Sequence, residues 1–192
     1  MNISNLKYGT PLRKIVDFVH FFYLGLLNHF FNRIPSYLIR KLIFRHLYFM
    51  KIGKLSNLQM GIRVYAPWKI SIGNNCSIGH DSLLDGRRGI TIGNNVDIAG
   101  HVRIFTLGHD LNDCSYKTTG FPVTIEDDAS IFTGAYILPG RVIKQGSVIA
   151  LASVVTKDTE PWCVYGGNPA KKISQRKINH LTYLHNYKRY FH

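Results

Sequence analysis

The 192-residue sequence predicts an all-β solenoid, a parallel β-helix of about five coils with an extruded loop, a helical segment before it and a short helix after it. Three observations predict this. Over 123–156 (VTIEDDASIFTGAYILPGRVIKQGSVIALASVVT) an aliphatic residue returns at every sixth position: Ile125, Ile131, Ile137, Ile143, Ile149 and Val155. Six is a multiple of the strand period of two, so these side chains share one face of short strands, whereas a 3.6-residue period would carry them around a helix. A mostly small residue stands two positions before the aliphatic one (Ala129, Ala135, Ser147, Ser153), on the same inward face. Between these pairs come turns punctuated by Gly and Pro, such as Phe132-Thr133-Gly134, Leu138-Pro139-Gly140 and Lys144-Gln145-Gly146. The strands of a β-sandwich have no reason to keep a six-residue register.

Taken in order, residues 1–51 form a basic, aromatic segment. The stretch 15–27 (IVDFVHFFYLGLL) is interrupted by Asp17 and His20 and is too short for a membrane span; no signal-peptide cleavage pattern follows it. After Pro35 and Ser36, 37–51 (YLIRKLIFRHLYFMK) places Leu38, Leu42, Arg45 and Phe49 at helical spacing. Two compatible readings follow: a helical cap over the end of the solenoid, or an interfacial helix lying on an anionic membrane.

The formal net charge of +13 divides unevenly. Residues 1–54 hold nine Lys/Arg against one Asp, 55–165 nine against ten acids, and 166–192 six against none. A neutral solenoid with basic flanks suits anionic partners such as a phosphate-bearing cofactor or a lipid surface. No nucleic-acid-binding motif accompanies the charge, so nucleic acid is not an expected partner. Cys76, Cys114 and Cys163 follow no metal or redox spacing. Cys76 takes a small inward slot and reads as a packed small hydrophobe. Cys114, five residues after His109, leaves Cys-His nucleophilic catalysis open.

The solenoid occupies 52–165. Ile52, Leu58 and Val64 make its first coil, and ISIGNNCSIG and ITIGNNVDIA repeat one another with Ile72, Ile78, Leu84 and Ile92, Ile98, Ile104 in register. At roughly 4.8 Å per stacked strand, five coils make a prism on the order of 24 Å tall. Two interruptions break the count. Leu84 to Ile92 is eight residues, which places a two-residue bulge at Gly86-Arg87-Arg88. Ile104 to Ile125 is twenty-one, which throws the loop 105–122 (FTLGHDLNDCSYKTTGFP) out of the wall. Insertions in repeat proteins cluster on the binding face, so the chemistry belongs there. The turn-rich stretch 164–170 (VYGGNPA) leads into the segment 166–192, whose basic tail reads as a short helix with Ile173, Ile178, Leu181 and Leu184.

These hexads, the loop with GHDLND and the ending SVVTKD…VYGGNPAKKI together resemble the hexapeptide-repeat acyltransferases, and among them the maltose/galactoside and colanic-acid type O-acetyltransferases. The resemblance covers 52–175. It implies a left-handed β-helix, a handedness periodicity cannot supply because parallel crossovers are nearly always right-handed. It also implies a homotrimer with sites between subunits, acetyl-CoA as donor, a sugar or glycan acceptor, and no metal. The expected activity is O-acetyl transfer in surface-polysaccharide biosynthesis, in the cytoplasm or peripherally on the inner face of the cell membrane.

An alcohol is too weakly acidic to attack a thioester at neutral pH without a base, and histidine is the natural one. His109 stands where the family places its catalytic His. Asp110, Asn112 and Asp113 are candidates to orient its imidazole, though turn capping explains them equally well. By the same resemblance, Thr133, Gly134 and Leu151 meet the pantetheine arm, Thr156 and Lys157 lie near the nucleotide, and Lys171 meets phosphate. Asp85 and Asn112 are the acceptor-binding candidates. Leu151 departs from the family, which usually has a small residue there, and Ser130 stands where sugar acetyltransferases often place Trp. Arg141, in an inward slot, has no account beyond a distortion or snorkelling. Two other readings remain: a non-catalytic membrane-binding scaffold, and a zinc γ-type carbonic anhydrase using His80, His101 and His109, although the loop lacks the closely spaced His pair such a site uses.

Overall fold

A computed structural model describes residues 10–183; residues 1–9 of the N-terminal segment, and 184–192 of the tail, lie outside the described residues. Each hexad is a strand of two or three residues, and the strands stack into three parallel sheets, the faces of a prism. The first face stacks Lys51–Ile52, Ile70–Ile72, Ile90–Ile92, Val123–Ile125 and Val142–Ile143. Asn57–Leu58, Ser77–Ile78, Asp97–Ile98, Ser130–Ile131, Val148–Ile149 and Cys163–Gly166 make the second. Arg63–Tyr65, Leu83–Asp85, Arg103–Ile104, Tyr136–Ile137 and Val154–Val155 make the third. Five coils are complete and Cys163–Gly166 begins a sixth.

The predicted register is the observed one. Ile52 pairs with Ile72, Ile72 with Ile92, Ile92 with Ile125 and Ile125 with Ile143. These side chains and their counterparts on the other faces form one buried core. No coil could bury them alone; each covers the next. The small inward column is buried too, and its polar members find backbone partners: Ser56 Oγ donates to Gly73 O at 2.6 Å, and Cys76 Sγ to Gly93 O at 3.1 Å.

The wall is interrupted once more than the sequence reading counted. Val64 to Ile72 is also eight residues, with a 3₁₀ turn at Pro67–Lys69, and the expected bulge is a second 3₁₀ turn at Gly86–Arg88 packed against the first. Each turn absorbs two residues without adding a strand, so the hexad register survives. Arg141 is explained on the same edge. Ile70, Ile90 and Val123 fill the equivalent slot in lower coils. In the fifth coil, Arg141 turns its guanidinium out to Pro139 O and Thr156 O, both at 3.2 Å, and to Asp158 at 3.6 Å. That is snorkelling over the core.

The N-terminal segment caps the first coil. Helix α1 (Pro11–His29) starts at Thr10, whose Oγ accepts from Arg13 N, with Pro at its first position. Helix α2 (Tyr37–Leu42) runs into a π-helical turn, Ile43–Leu47. A solenoid end leaves backbone groups open, and this segment satisfies them. Asn28 takes Val64 N (2.8 Å) and donates to Val64 O (2.9 Å), Asn32 donates to Ile62 O (3.2 Å), and Lys41 to Gly53 O (2.9 Å). Arg40, fully buried, donates to Leu58 O through Nε at 3.2 Å and Nη2 at 2.8 Å, and to Ile34 O. Arg40, Phe44 and Tyr48, at spacing four, face the core, whereas Leu38, Leu42 and Phe49 lie exposed. Among the described residues no helix is long and apolar enough to cross a membrane.

The expected C-terminal helix is corrected over its described part. Lys171–Gln175 is a strand, antiparallel to Cys163–Gly166. The GGNPA turn sends the chain back along a strand with open backbone groups, and pairing with that edge satisfies more of them than a short exposed helix would. Leu184 lies outside the described residues.

Candidate active site

Three edges join the three faces, and the candidate residues divide between two of them. The loop 105–122 leaves the edge between the third and first faces at the third coil. It forms a two-stranded antiparallel hairpin, Gly108–His109 against Thr118–Thr119, which holds His109 clear of the wall. His109 is exposed, and its Nδ1 lies 2.8 Å from the carbonyl oxygen of Tyr116. A carbonyl only accepts, so Nδ1 carries the proton and the Nε2 lone pair is free for an incoming one. The Tyr116 ring stacks on the imidazole, centroids 4.3 Å apart and planes 9° from parallel.

The group that orients His109 is therefore Tyr116, which the sequence reading missed. A backbone carbonyl seven residues away leaves no composition signal; hairpin closure brings it there. The two acidic candidates do other work. Asp110 Oδ1 accepts from Asn112 N at 3.0 Å, and Asp113 Oδ1 accepts from Ser115 N and Oγ at 2.8 and 2.6 Å. These bonds to Ser115 lower the Asp113 pKa. Both are turn caps. Asn112 stays exposed at the loop tip, and Cys114 is exposed there too.

Asp85, the other acceptor-binding candidate, faces into the fold. Its carboxylate is buried and held by Arg87, Oδ1 to Nε at 2.8 Å and Oδ2 to Nη2 at 3.0 Å, and it caps Arg87 N. Thr106 Oγ donates to Asp85 O at 2.6 Å, and Thr106 N reaches Oδ2 at 3.4 Å. The Asp85 hydrogen bonds raise the pKa of Arg87. Asp85 thus ties the second coil to the root of the His109 loop; meeting a sugar would cost it the ion pair with the half-exposed Arg87.

The edge between the second and third faces carries the other group. Thr133 and Gly134 form its fourth rung and Leu151 its fifth, joined by Ala152 N donating to Thr133 O at 3.0 Å. Lys171, paired with Gly166, continues the column at the top and is exposed. These four make a line along the prism axis, exposed at Thr133, Leu151 and Lys171. Thr156 and the exposed Lys157 follow the strand Val154–Val155, so they lie on the His109 edge, two coils above it. The two edges are separated by the third face, one hexad wide, which at about 3.3 Å per residue is on the order of 15–20 Å. Within one chain, His109 and the line through Thr133, Leu151 and Lys171 do not meet. Nor does His109 meet His80 and His101, which sit on the second-to-third edge.

No family model matches the chain. Relatives do. A Dictyostelium discoideum protein named as an acetyltransferase is 32% identical over 152 residues, 78% of this chain and 80% of its own length. The solved maltose O-acetyltransferase of Clostridium difficile superposes with a TM-score of 0.71 at 32% identity, over 81% of this chain and 86% of that one. The hexapeptide-repeat acetyltransferase of Vibrio cholerae, solved with acetyl coenzyme A, gives 0.77 at 25% identity over 91% and 94%. The chain spans about half the length of the first curated relatives it matches. A register of buried aliphatic hexads, a wall broken by one hairpin, and these likenesses along most of the chain agree: the protein belongs to the hexapeptide-repeat acetyltransferases, and its solenoid is their left-handed parallel β-helix.

Proposed function

We propose that this protein transfers an acetyl group from acetyl-CoA to a sugar hydroxyl, with His109 as general base. The observation that carries the reading is the hydrogen bond from His109 Nδ1 to Tyr116 O, which leaves Nε2 basic and exposed. Nε2 takes the proton of the acceptor hydroxyl as its oxygen attacks the thioester carbonyl carbon. The carbon–sulfur bond then breaks, and the imidazolium returns the proton to the departing thiolate. The acetyl ester and CoA–SH form without a covalent enzyme intermediate. A base so positioned contributes about 10²–10⁴ in rate.

The donor lies in this reading along the rungs of Thr133, Gly134 and Leu151, with its phosphates toward Lys171; Thr156 and Lys157 serve the nucleotide end from the other edge. Because the two edges do not meet within a chain, the site is built by a homotrimer in which the His109 loop of one copy closes on the donor edge of the next. Asn112, exposed beside His109, is the remaining acceptor candidate.

The acceptor is a glycan intermediate of surface-polysaccharide assembly, met at the cytoplasmic face of the membrane. Support comes from α1, where Phe18, Phe21 and Phe22 are 71%, 68% and 59% exposed beside the exposed Lys14, a combination suited to an anionic lipid surface. Thiol release from acetyl-CoA, screened against glycans, nucleotide sugars and lipid-linked oligosaccharides, tests the reading. Transfer that requires His109 supports it; no thiol release with any acceptor would leave the scaffold reading, and zinc-dependent CO₂ hydration the carbonic-anhydrase one.

A further inference from the structure

The second-to-third edge carries a cluster that acetyl transfer does not use. His80 and Asp81 form its second rung and His101 its third, all exposed. One ligand atom from each lies within 4.8 Å of the other two, and the imidazoles meet edge-on with centroids 4.9 Å apart at 82°. We propose that His80, Asp81 and His101 bind one divalent transition-metal ion of the zinc, nickel or copper class, which clamps the second coil to the third.

The edge is shaped for these side chains. A Cβ on Gly100 would lie 2.6 Å from Cε1 and 2.9 Å from Nε2 of His80, so the ring rests directly over this glycine of the third coil. A Cβ on Gly61 would lie 2.1 Å from Oδ1 of Asp81, so the carboxylate rests over a glycine of the first coil. His80 is also oriented. The Oε1 of Gln59 accepts from His80 N at 3.1 Å and lies 3.3 Å from Nδ1. An oxygen there makes Nδ1 the protonated nitrogen and leaves the Nε2 lone pair for a metal, the outer-shell arrangement usual for ligating histidines.

The donor set selects the ion. Two neutral imidazoles and one carboxylate suit zinc, copper or nickel, whereas calcium and magnesium want oxygen alone. In a tetrahedral zinc shell with bonds of about 2.0–2.1 Å, ligand atoms lie about 3.3 Å apart. Closing the cluster takes a shift of roughly 1.5 Å, within the reach of exposed side chains rotating about χ1 and χ2. The fourth position is left to water. Arg33 lines the same hollow with Gln59, Met60 and Gly61, and its charge opposes the cation, which weakens the site relative to a closed cysteine site.

The test reads binding, not turnover. The full-length chain, stripped with chelator, is titrated with zinc chloride in competition with a chromophoric chelator. One ion per chain is expected, and saturating zinc should raise the thermal midpoint. His80→Ala and His101→Asn should each weaken binding at least about tenfold and abolish the thermal shift; Asn is chosen because residue 101 sits at φ 62, which Asn tolerates. His46→Ala, an exposed histidine elsewhere, should change neither. No stoichiometric binding, or binding indifferent to His80 and His101, overturns the proposal.

Discussion

Tyr116 holds the imidazole of His109 in two ways at once, accepting from Nδ1 at 2.8 Å through its carbonyl and stacking on the ring at 4.3 Å. Hairpin closure makes both contacts, so the tautomer of His109 depends on the loop staying folded. His109→Ala should leave folding and CoA binding intact and lower kcat by at least about a hundredfold. Near-normal turnover would remove His109 from the mechanism.

Lys171 and His109 lie on different edges, and a trimer would draw them from different copies into one site. Lys171→Glu should raise the KM for acetyl-CoA more than that for the acceptor. Mixed oligomers of Lys171→Glu and His109→Ala chains should recover activity at low acetyl-CoA, since about a quarter of sites in a 1:1 mixture pair an intact loop with an intact edge. Mixtures no more active than the parents would place the whole site in one chain.

Asp85 joins the second coil to the loop root through Arg87 and Thr106, so Asp85→Ala should act on stability and on kcat. Arg87 is half exposed, with 48% of its side chain in solvent, which limits the loss to about 1–3 kcal/mol. Denaturant unfolding with parallel kinetics checks this; a variant of full stability whose acceptor KM alone rises would return Asp85 to the acceptor site.

Arg40 closes the first coil with its buried guanidinium. Arg40→Ala leaves the Leu58 and Ile34 carbonyls without that partner and opens a cavity, and should cost at least about 2 kcal/mol. A midpoint unchanged in urea would show that the end of the solenoid needs no such cap.

Because 28–41 supplies hydrogen bonds to the first coil, deleting the N-terminal segment would damage the solenoid along with any membrane affinity. Substitutions on its exposed face separate the two. Phe18→Ser, Phe21→Ser and Phe22→Ser combined should leave the thermal midpoint nearly unchanged and abolish salt-sensitive co-sedimentation with anionic liposomes. Full-length protein that stays in the supernatant at low salt would reduce the segment to a cap.

The hexad aliphatics, the small inward column and the excluded loop were legible in the sequence because a stacked coil repeats its burial at a constant spacing, and periodicity survives in one dimension. The hairpin that carries His109 was legible only as a break in that spacing. The turn at Pro67–Lys69 carries the same eight-residue signal, Val64 to Ile72, as the one at Gly86–Arg88 and was open to the same count, whereas the strand Lys171–Gln175 escaped because a neighbour supplies its pairing. The contacts of Tyr116 and Asp85 were decided only by tertiary structure: a backbone carbonyl has no letter, and a carboxylate reads the same whether it lies open to a ligand or pairs with an arginine. The separation of His109 from Lys171 is also tertiary. Sequence spacing orders residues along the chain, but only winding that chain around three faces determines which edge each one reaches.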